Sequence, residues 1–142
     1  MRFWDSSAIV PLLVAEPITS SIRELYLKDH AVVVWWATPV ECASALARLE
    51  REGRLGSKAA SESYRRLDAL LPSWIEIEPT AEVRETARRL LRAHALRTGD
   101  ALQLAAAYAA SERRPSTLEI VTLDDRLAAV ADREGFIVVQ PA

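Results

Sequence analysis

Ala31-Val32-Val33-Val34-Trp35-Trp36-Ala37-Thr38-Pro39-Val40-Glu41 is the stretch that decides the fold. A continuous apolar run suits a strand buried on both faces, as in parallel sheets. It passes at once into a helix start, with Pro39 fit for the first helical position and Thr38 and Glu41 at capping-box spacing. The same strand-then-helix unit recurs on either side. Arg2-Phe3-Trp4-Asp5 reads as a short strand entering a helix at Ser6-Ser7-Ala8-Ile9-Val10. Pro11 is tolerable there only in the first turn, so that helix is expected to kink or to begin late. A second amphipathic helix fits Ile18 to Lys28, with Ile22, Leu25 and Tyr26 facing inward. Beyond Glu41 the helix should end at Gly53, and another should run from Ser57 to Leu71. Ile75 to Glu78 alternates as a strand, followed by helices over Thr80–Ala95 and Asp100–Glu112. Leu118–Thr122 is a strand, Asp125–Arg133 a helix and Phe136–Val139 a last strand. Strands alternating with helices imply an α/β fold, a mostly parallel sheet covered on both faces. No repeat, low-complexity stretch or long linker divides residues 1–142, so one domain is expected.

Composition narrows the function classes. The chain has 142 residues, 50 % of them hydrophobic, enough for a real core. Its longest apolar runs fall short of the ~20 residues that span a bilayer. No secretory leader is expected, because Asp5 interrupts the opening segment, and a single cysteine, Cys42, excludes an internal disulfide. A reducing cytoplasm is the expected setting. One cysteine and two histidines, His30 and His94, speak against zinc, which prefers sulfur and nitrogen ligands. The net charge of −2 gives no global sign of a nucleic-acid partner. Basic residues gather at Arg48, Arg51, Arg54 and Lys58, at Arg65 and Arg66, and from Arg84 to Arg97. Most lie among glutamates and read as solvated helix faces.

Four acids stand where elements meet: Asp5, Glu41, Asp100 and Asp124. In open parallel sheets the site lies beyond the carboxyl ends of the strands, which gathers Asp5, Glu41 and Asp124 at one edge. Asp100 follows a helix, and its place at that edge is less directly implied. Two carboxylates ~4 Å apart repel by ~4 kcal/mol at an effective dielectric of ~20, so four together call for a cation. Oxygen donors suit magnesium or manganese. Each acid also has a structural alternative. Glu41 completes a capping box with Thr38, Asp5 and Asp124 fit helix caps, and Asp100 suits the positive end of a helix dipole. Ser7 and Thr122 sit beside the acids and suit either orientation of a carboxylate or local turn bonding. Both histidines are expected at the surface or at caps, and Cys42 in the core. Of Trp35 and Trp36, on opposite faces, one should be core, and the other is a candidate to line the cleft.

Asp5-Ser6-Ser7-Ala8, Glu41, Leu96-Arg97-Thr98-Gly99-Asp100-Ala101-Leu102-Gln103-Leu104-Ala105 and Thr122-Leu123-Asp124-Asp125-Arg126-Leu127 occur in this order. On these motifs the chain resembles the PIN-domain nucleases, and among them the VapC toxins of toxin–antitoxin pairs, over essentially its full length. The resemblance implies a PIN-like three-layer α/β/α sandwich and a metal-dependent endoribonuclease acting on single-stranded RNA. It implies that Asp5, Glu41, Asp100 and Asp124 hold Mg²⁺ or Mn²⁺, supported by Ser7 and Thr122. It also implies a homodimer held inactive by a small antitoxin. Asp125, beside Asp124, leaves two candidates for the last acid, and Trp4 is bulky for its place before Asp5. A PIN nuclease of RNA processing and a catalytically silent interaction module are the alternatives. An aspartyl phosphatase is disfavoured, since Ser7 stands where such enzymes carry a second aspartate.

Overall fold

In the computed structural model of the chain, which describes residues 1–142, five strands form one sheet. They are β1 (Arg2–Trp4), β2 (Val32–Trp35), β3 (Ile75–Ile77), β4 (Glu119–Val121) and β5 (Ile137–Val139). The order across the sheet is β3-β2-β1-β4-β5, and every adjacent pair is parallel. The seven helices are α1 (Ser6–Leu13), α2 (Thr19–Leu27), α3 (Thr38–Arg51), α4 (Ser57–Leu70), α5 (Ala81–Ala93), α6 (Thr98–Ala110) and α7 (Asp125–Arg133). None is long and apolar enough to cross a membrane.

Side-chain alternation along the strands splits the core in two. Phe3, Val33, Trp35 and Ile120 pack with α5, α6 and α7 through Leu90, Leu104 and Leu127. Trp4, Val32, Val34 and Val121 face the other way, onto Ile9, Leu13, Ile22, Cys42, Leu46 and Leu67 of α1 to α4. The result is the expected α/β/α sandwich. Trp4 is fully buried, edge-on to Tyr26 with ring centroids 5.3 Å apart, and its indole N–H donates to Asp29 Oδ2 at 2.8 Å. Its bulk is therefore a core feature and does not intrude on the edge where Asp5 sits.

Several local expectations change. Pro11 lies near the end of α1 rather than in its first turn, and the helix still starts at Ser6. Pro11 leaves the Ser7 carbonyl without its usual helical donor, and α1 ends two residues later, at Leu13. The capping box at Thr38 does not form. Ala37 is the N-cap, no side chain caps α3, and the Glu41 N–H bonds to the Ala37 carbonyl as ordinary helix. Helix α6 begins at Thr98, which places Asp100 inside its first turn. Gly53 ends α3 as expected, at φ +72°, with the Arg54 N–H reaching Leu49 O and the Gly53 N–H reaching Glu50 O.

Candidate active site

The chain lays down β1, β2 and β3 outward on one side, then crosses back to place β4 and β5 on the other. The order of winding therefore reverses between β1 and β4, where such sheets open a crevice at their carboxyl ends. Asp5 follows β1 there, and its N–H bonds to Val121 O, the last residue of β4, at 3.0 Å. Thr122 to Asp124 follow β4 at the same edge. Helix α3 enters from the end of β2 with Glu41 in its first turn, and α6 brings Asp100.

Asp5 is the anchor. It is 4 % exposed and occupies the N-cap position of α1, yet it makes no cap bond. Its Oδ2 instead accepts from Ser7 Oγ at 2.5 Å and Thr122 Oγ1 at 2.9 Å. Those hydroxyls are themselves fixed by the Leu123 N–H, 2.9 Å from Ser7 Oγ, and the Asp124 N–H, 3.1 Å from Thr122 Oγ1. Ser7 and Thr122 thus orient a carboxylate across the β1–β4 seam. Burial pushes the Asp5 carboxyl up, the two hydroxyls partly offset this, and Asp124 adds repulsion.

Glu41 takes a hydrogen bond from Ser6 Oγ at 2.9 Å. Burial raises its carboxyl, Ser6 and Gln103 act against that, and Asp5 and Asp100 reinforce it. Asp100 is raised by burial first, then by Asp124 and Asp5, with Arg97 acting against. Asp124 does cap its helix: Oδ1 accepts the Arg126 and Leu127 N–H groups at 2.9 and 3.1 Å. The capping role and a place in the acidic group coexist, because both bonds use one oxygen. Asp125 accepts from Gln140 Nε2 at 3.2 Å, and it is Asp124 whose charge is felt at Asp5 and Asp100.

A cleft of about 450 Å³ holds all four acids and a fifth that the sequence patterns did not mark, Glu16, with Ser6, Ser7, Ser44, Arg48 and Arg97 also on its walls. No three of the acids form a group tight enough to hold an ion by direct contact alone. An oxygen-only set with charge in excess still fits a divalent cation that keeps several waters and takes one or two direct carboxylates, as magnesium does. Sulfur is out of play: burial, with Glu41 and Asp5 nearby, pushes the Cys42 thiol up to about 12.

Three contributors escape the sequence patterns. Ser6 was passed over in favour of Ser7, and only the packing of α1 on α3 brings it to Glu41. Gln103, 1 % exposed, donates through Nε2 to the Thr38 hydroxyl at 3.1 Å and bears on Glu41, tying α6 to α3. Its Oε1 has no donor, a deficit that typically costs about 1–3 kcal/mol. Thr38, read as a cap, is instead the buried acceptor of that bond. Two expectations fail outright. Trp36 is half-exposed and is not among the residues around the acids. His94 is neither a surface group nor a mere cap, since its Nε2 lies 2.8 Å from Glu134 Oε2 with its side chain largely covered.

The sequence profile of the PIN domain matches residues 2–133. The chain belongs to the PIN-domain family. Curated relatives include Ribonuclease VapC45 and Ribonuclease VapC49 of Mycobacterium tuberculosis, from two strains. Each is 31 % identical over 133 residues, covering 94 % of this PIN domain and 90 % of the relative. Among solved structures, a toxin–antitoxin complex from Klebsiella pneumoniae contains a chain that aligns at a TM-score of 0.67 with 16 % identity, over 100 % of this chain and 98 % of the other. FitAcB from Neisseria gonorrhoeae aligns at 0.68 with 17 % identity, over 97 % and 96 %. PAE2754 from Pyrobaculum aerophilum aligns at 0.66 with 22 % identity, over 98 % and 87 %. At these identities the likeness concerns the fold, and the winding of this PIN domain is shared across distant organisms.

Proposed function

We propose that this PIN domain is a divalent-metal-dependent endoribonuclease that cuts single-stranded RNA and serves as the toxin of a toxin–antitoxin pair. The observation that carries it is the convergence of Asp5, Glu41, Asp100 and Asp124 on one cleft at the reversal point of the sheet. Relatives named as ribonucleases, with which it is about a third identical, support the choice of RNA. The name of the toxin–antitoxin neighbour supports a small inhibitory partner that covers the cleft. A homodimer in the cytoplasm completes the proposal, and the lone buried thiol suits a reducing setting.

The four acids would hold Mg²⁺ or Mn²⁺. Bound there, the ion supplies an activated water and neutralises charge developing on the phosphate and the leaving oxygen. The chain's own residues prepare the place. Ser7 and Thr122 lock Asp5 in one orientation, Ser6 and Gln103 set Glu41, and the α7 N-terminus fixes Asp124. No histidine stands among these residues to act as a proton acceptor.

The test is cleavage of an unstructured RNA oligonucleotide with Mg²⁺ or Mn²⁺, with and without chelator, by the wild type and Asp100→Asn. Cleavage abolished by both changes, with unaltered circular dichroism, supports the metal mechanism. Cleavage that survives both defeats it. Growth arrest on expression, relieved by co-expression of a small protein encoded next to this one, separates a toxin from an RNA-processing enzyme.

A further inference from the structure

Two exposed arginines, Arg48 and Arg97, line the acidic cleft, a third, Arg126, lines the cleft beside it, and none is bridged to an acid there. The cleft that holds the acids shares Arg97, Asp100 and Asp124 with a neighbouring one of about 380 Å³ that runs on to Asp125 and Arg126. Sharing those residues, the two make one trough, lined by Arg48 of α3, the acids, Arg97 and Arg126 of α7. Each arginine is carried by the element that carries an acid. Arg48 lies two helical turns beyond Glu41 on the same face of α3, roughly 10 Å along the axis. Arg97 is the residue before α6, just ahead of Asp100, and Arg126 follows Asp124 in the first turn of α7. The rigid helices therefore fix the spacing of positive and negative groups.

Seven of the sixteen arginines pair with a carboxylate, and none of the seven is at the trough. Arg89 meets Glu134 at 2.9 Å, Arg88 meets Glu85 at 3.0 Å, and Arg2 meets Glu119. At the trough, which six carboxylates line, Asp5, Glu16, Glu41, Asp100, Asp124 and Asp125, the three arginines Arg48, Arg97 and Arg126 form no ion pair. A guanidinium placed to neutralise an acid typically grips it with two parallel bonds. These three make no such bond, so their donors remain available to an outside anion. A strand of RNA needs that help, because an acidic floor repels phosphates and flanking cations must hold them on either side.

We propose that Arg48, Arg97 and Arg126 trace the path of the substrate strand, holding the phosphates on either side of the acids and at the shared wall. The proposal rests on the ribonuclease reading above. Contacts of this kind read the backbone and not the bases, so they set affinity and register rather than the cleavage sequence.

Steady-state cleavage of an unstructured RNA oligonucleotide in Mg²⁺, between about 50 and 200 mM salt, tests it. Arg48→Ala and Arg126→Ala should each raise KM about fivefold, with kcat within about twofold of wild type. Each should also flatten the slope of log(kcat/KM) against log[salt] by ~0.7, the loss of one single-strand phosphate contact. Arg48→Lys and Arg126→Lys should restore the slope. Arg84→Ala, an exposed arginine on α5 outside the trough, should change nothing. An active enzyme whose KM and slope are unmoved by both alanine variants overturns the path while leaving the ribonuclease reading intact. Unmoved RNA kinetics together with lost neutralisation by the inhibitory partner also overturns it, and assigns the arginines to a protein. A wild type inert towards RNA with either metal defeats both proposals together.

Discussion

Two groups of carboxylates in this molecule are built in opposite ways. Around Glu134, at the end of α7, Arg89 donates at 2.9 Å, Tyr108 donates at 2.6 Å, and His94 Nε2 lies at 2.8 Å. Burial opposes the charge, but these three contacts together hold the carboxyl down at about 2. Arg89 and Arg113 both lie over the Tyr108 ring as well, 5.3 and 5.9 Å from its centroid. Around Asp5 the donors are hydroxyls and the neighbours are other acids. Burial and repulsion push Asp5, Glu41 and Asp100 up. One group closes its charge internally and braces α5, α6 and α7. The other keeps negative charge in excess, with arginines standing by unbridged. A covered carboxylate is therefore not by itself a sign of function. Failure of the chain to neutralise it is the better mark.

The sharpest break in that contrast is Asp100→Asn. It should cut kcat by at least about a hundredfold while leaving the melting temperature equal or higher, since it relieves repulsion. Unchanged turnover would place Asp100 outside the chemistry. In the wild type, Mg²⁺ or Mn²⁺ at a hundred times its Kd should stabilise the fold by about 2.7 kcal/mol in thermal melts. Asp100→Asn should lose most of that gain. Glu134→Gln should do the reverse of Asp100→Asn, costing about 1–3 kcal/mol in urea unfolding with kcat/KM unchanged. A loss of activity without a loss of stability there would join the two groups functionally.

Gln103→Leu sharpens the picture at smaller scale. Removal of the tie to Thr38 and Glu41 should weaken Mn²⁺ affinity, measured by calorimetry, about tenfold. Stability should hold or rise, because the unpaired Oε1 goes too. The smallest effect is in pH, measured by melts in chelator. Glu134 is held below its ordinary 4.5, so its contribution is full above that value and is lost as the pH falls towards about 2. The stability deficit of Glu134→Gln should shrink over that window. Asp5, Glu41 and Asp100 are raised, so the fold favours their neutral forms at low pH and loses that benefit as the pH rises through their raised values. The advantage of Asp100→Asn should shrink in acid and grow towards neutrality. Curves of the same sign for both variants would erase the distinction.

The apolar run at Val32–Trp35 and its exit into Thr38 were enough to place β2, α3 and a parallel sheet, because burial on both faces leaves no polar alternation. Asp5, Glu41 and Asp124 were legible for a related reason, since each follows a strand or opens the helix after one and the reversal of winding collects such ends, whereas the place of Asp100 came from the resemblance alone. What misled was local chemistry read without its neighbours. Thr38 and Glu41 have capping-box spacing, but Gln103 and Ser6 claim their side chains. Pro11 looked like a constraint on the start of α1 and instead sits beside its end. His94 looked peripheral until α7 delivered Glu134 to it.

By itself, then, the sequence determined the order of elements, the parallel sheet and the identity of the acids, since these follow from periodicity and from residue type at element ends. Only the tertiary structure decided which groups hold those acids and which leave them charged. Thr122 reaches Asp5 across 117 residues of chain, and Ser6 reaches Glu41 across 35. The gathering of Arg48, Arg97 and Arg126 beside those acids is likewise decided by the fold. Contacts between elements so far apart depend on how helices settle on the sheet, and no local pattern encodes that.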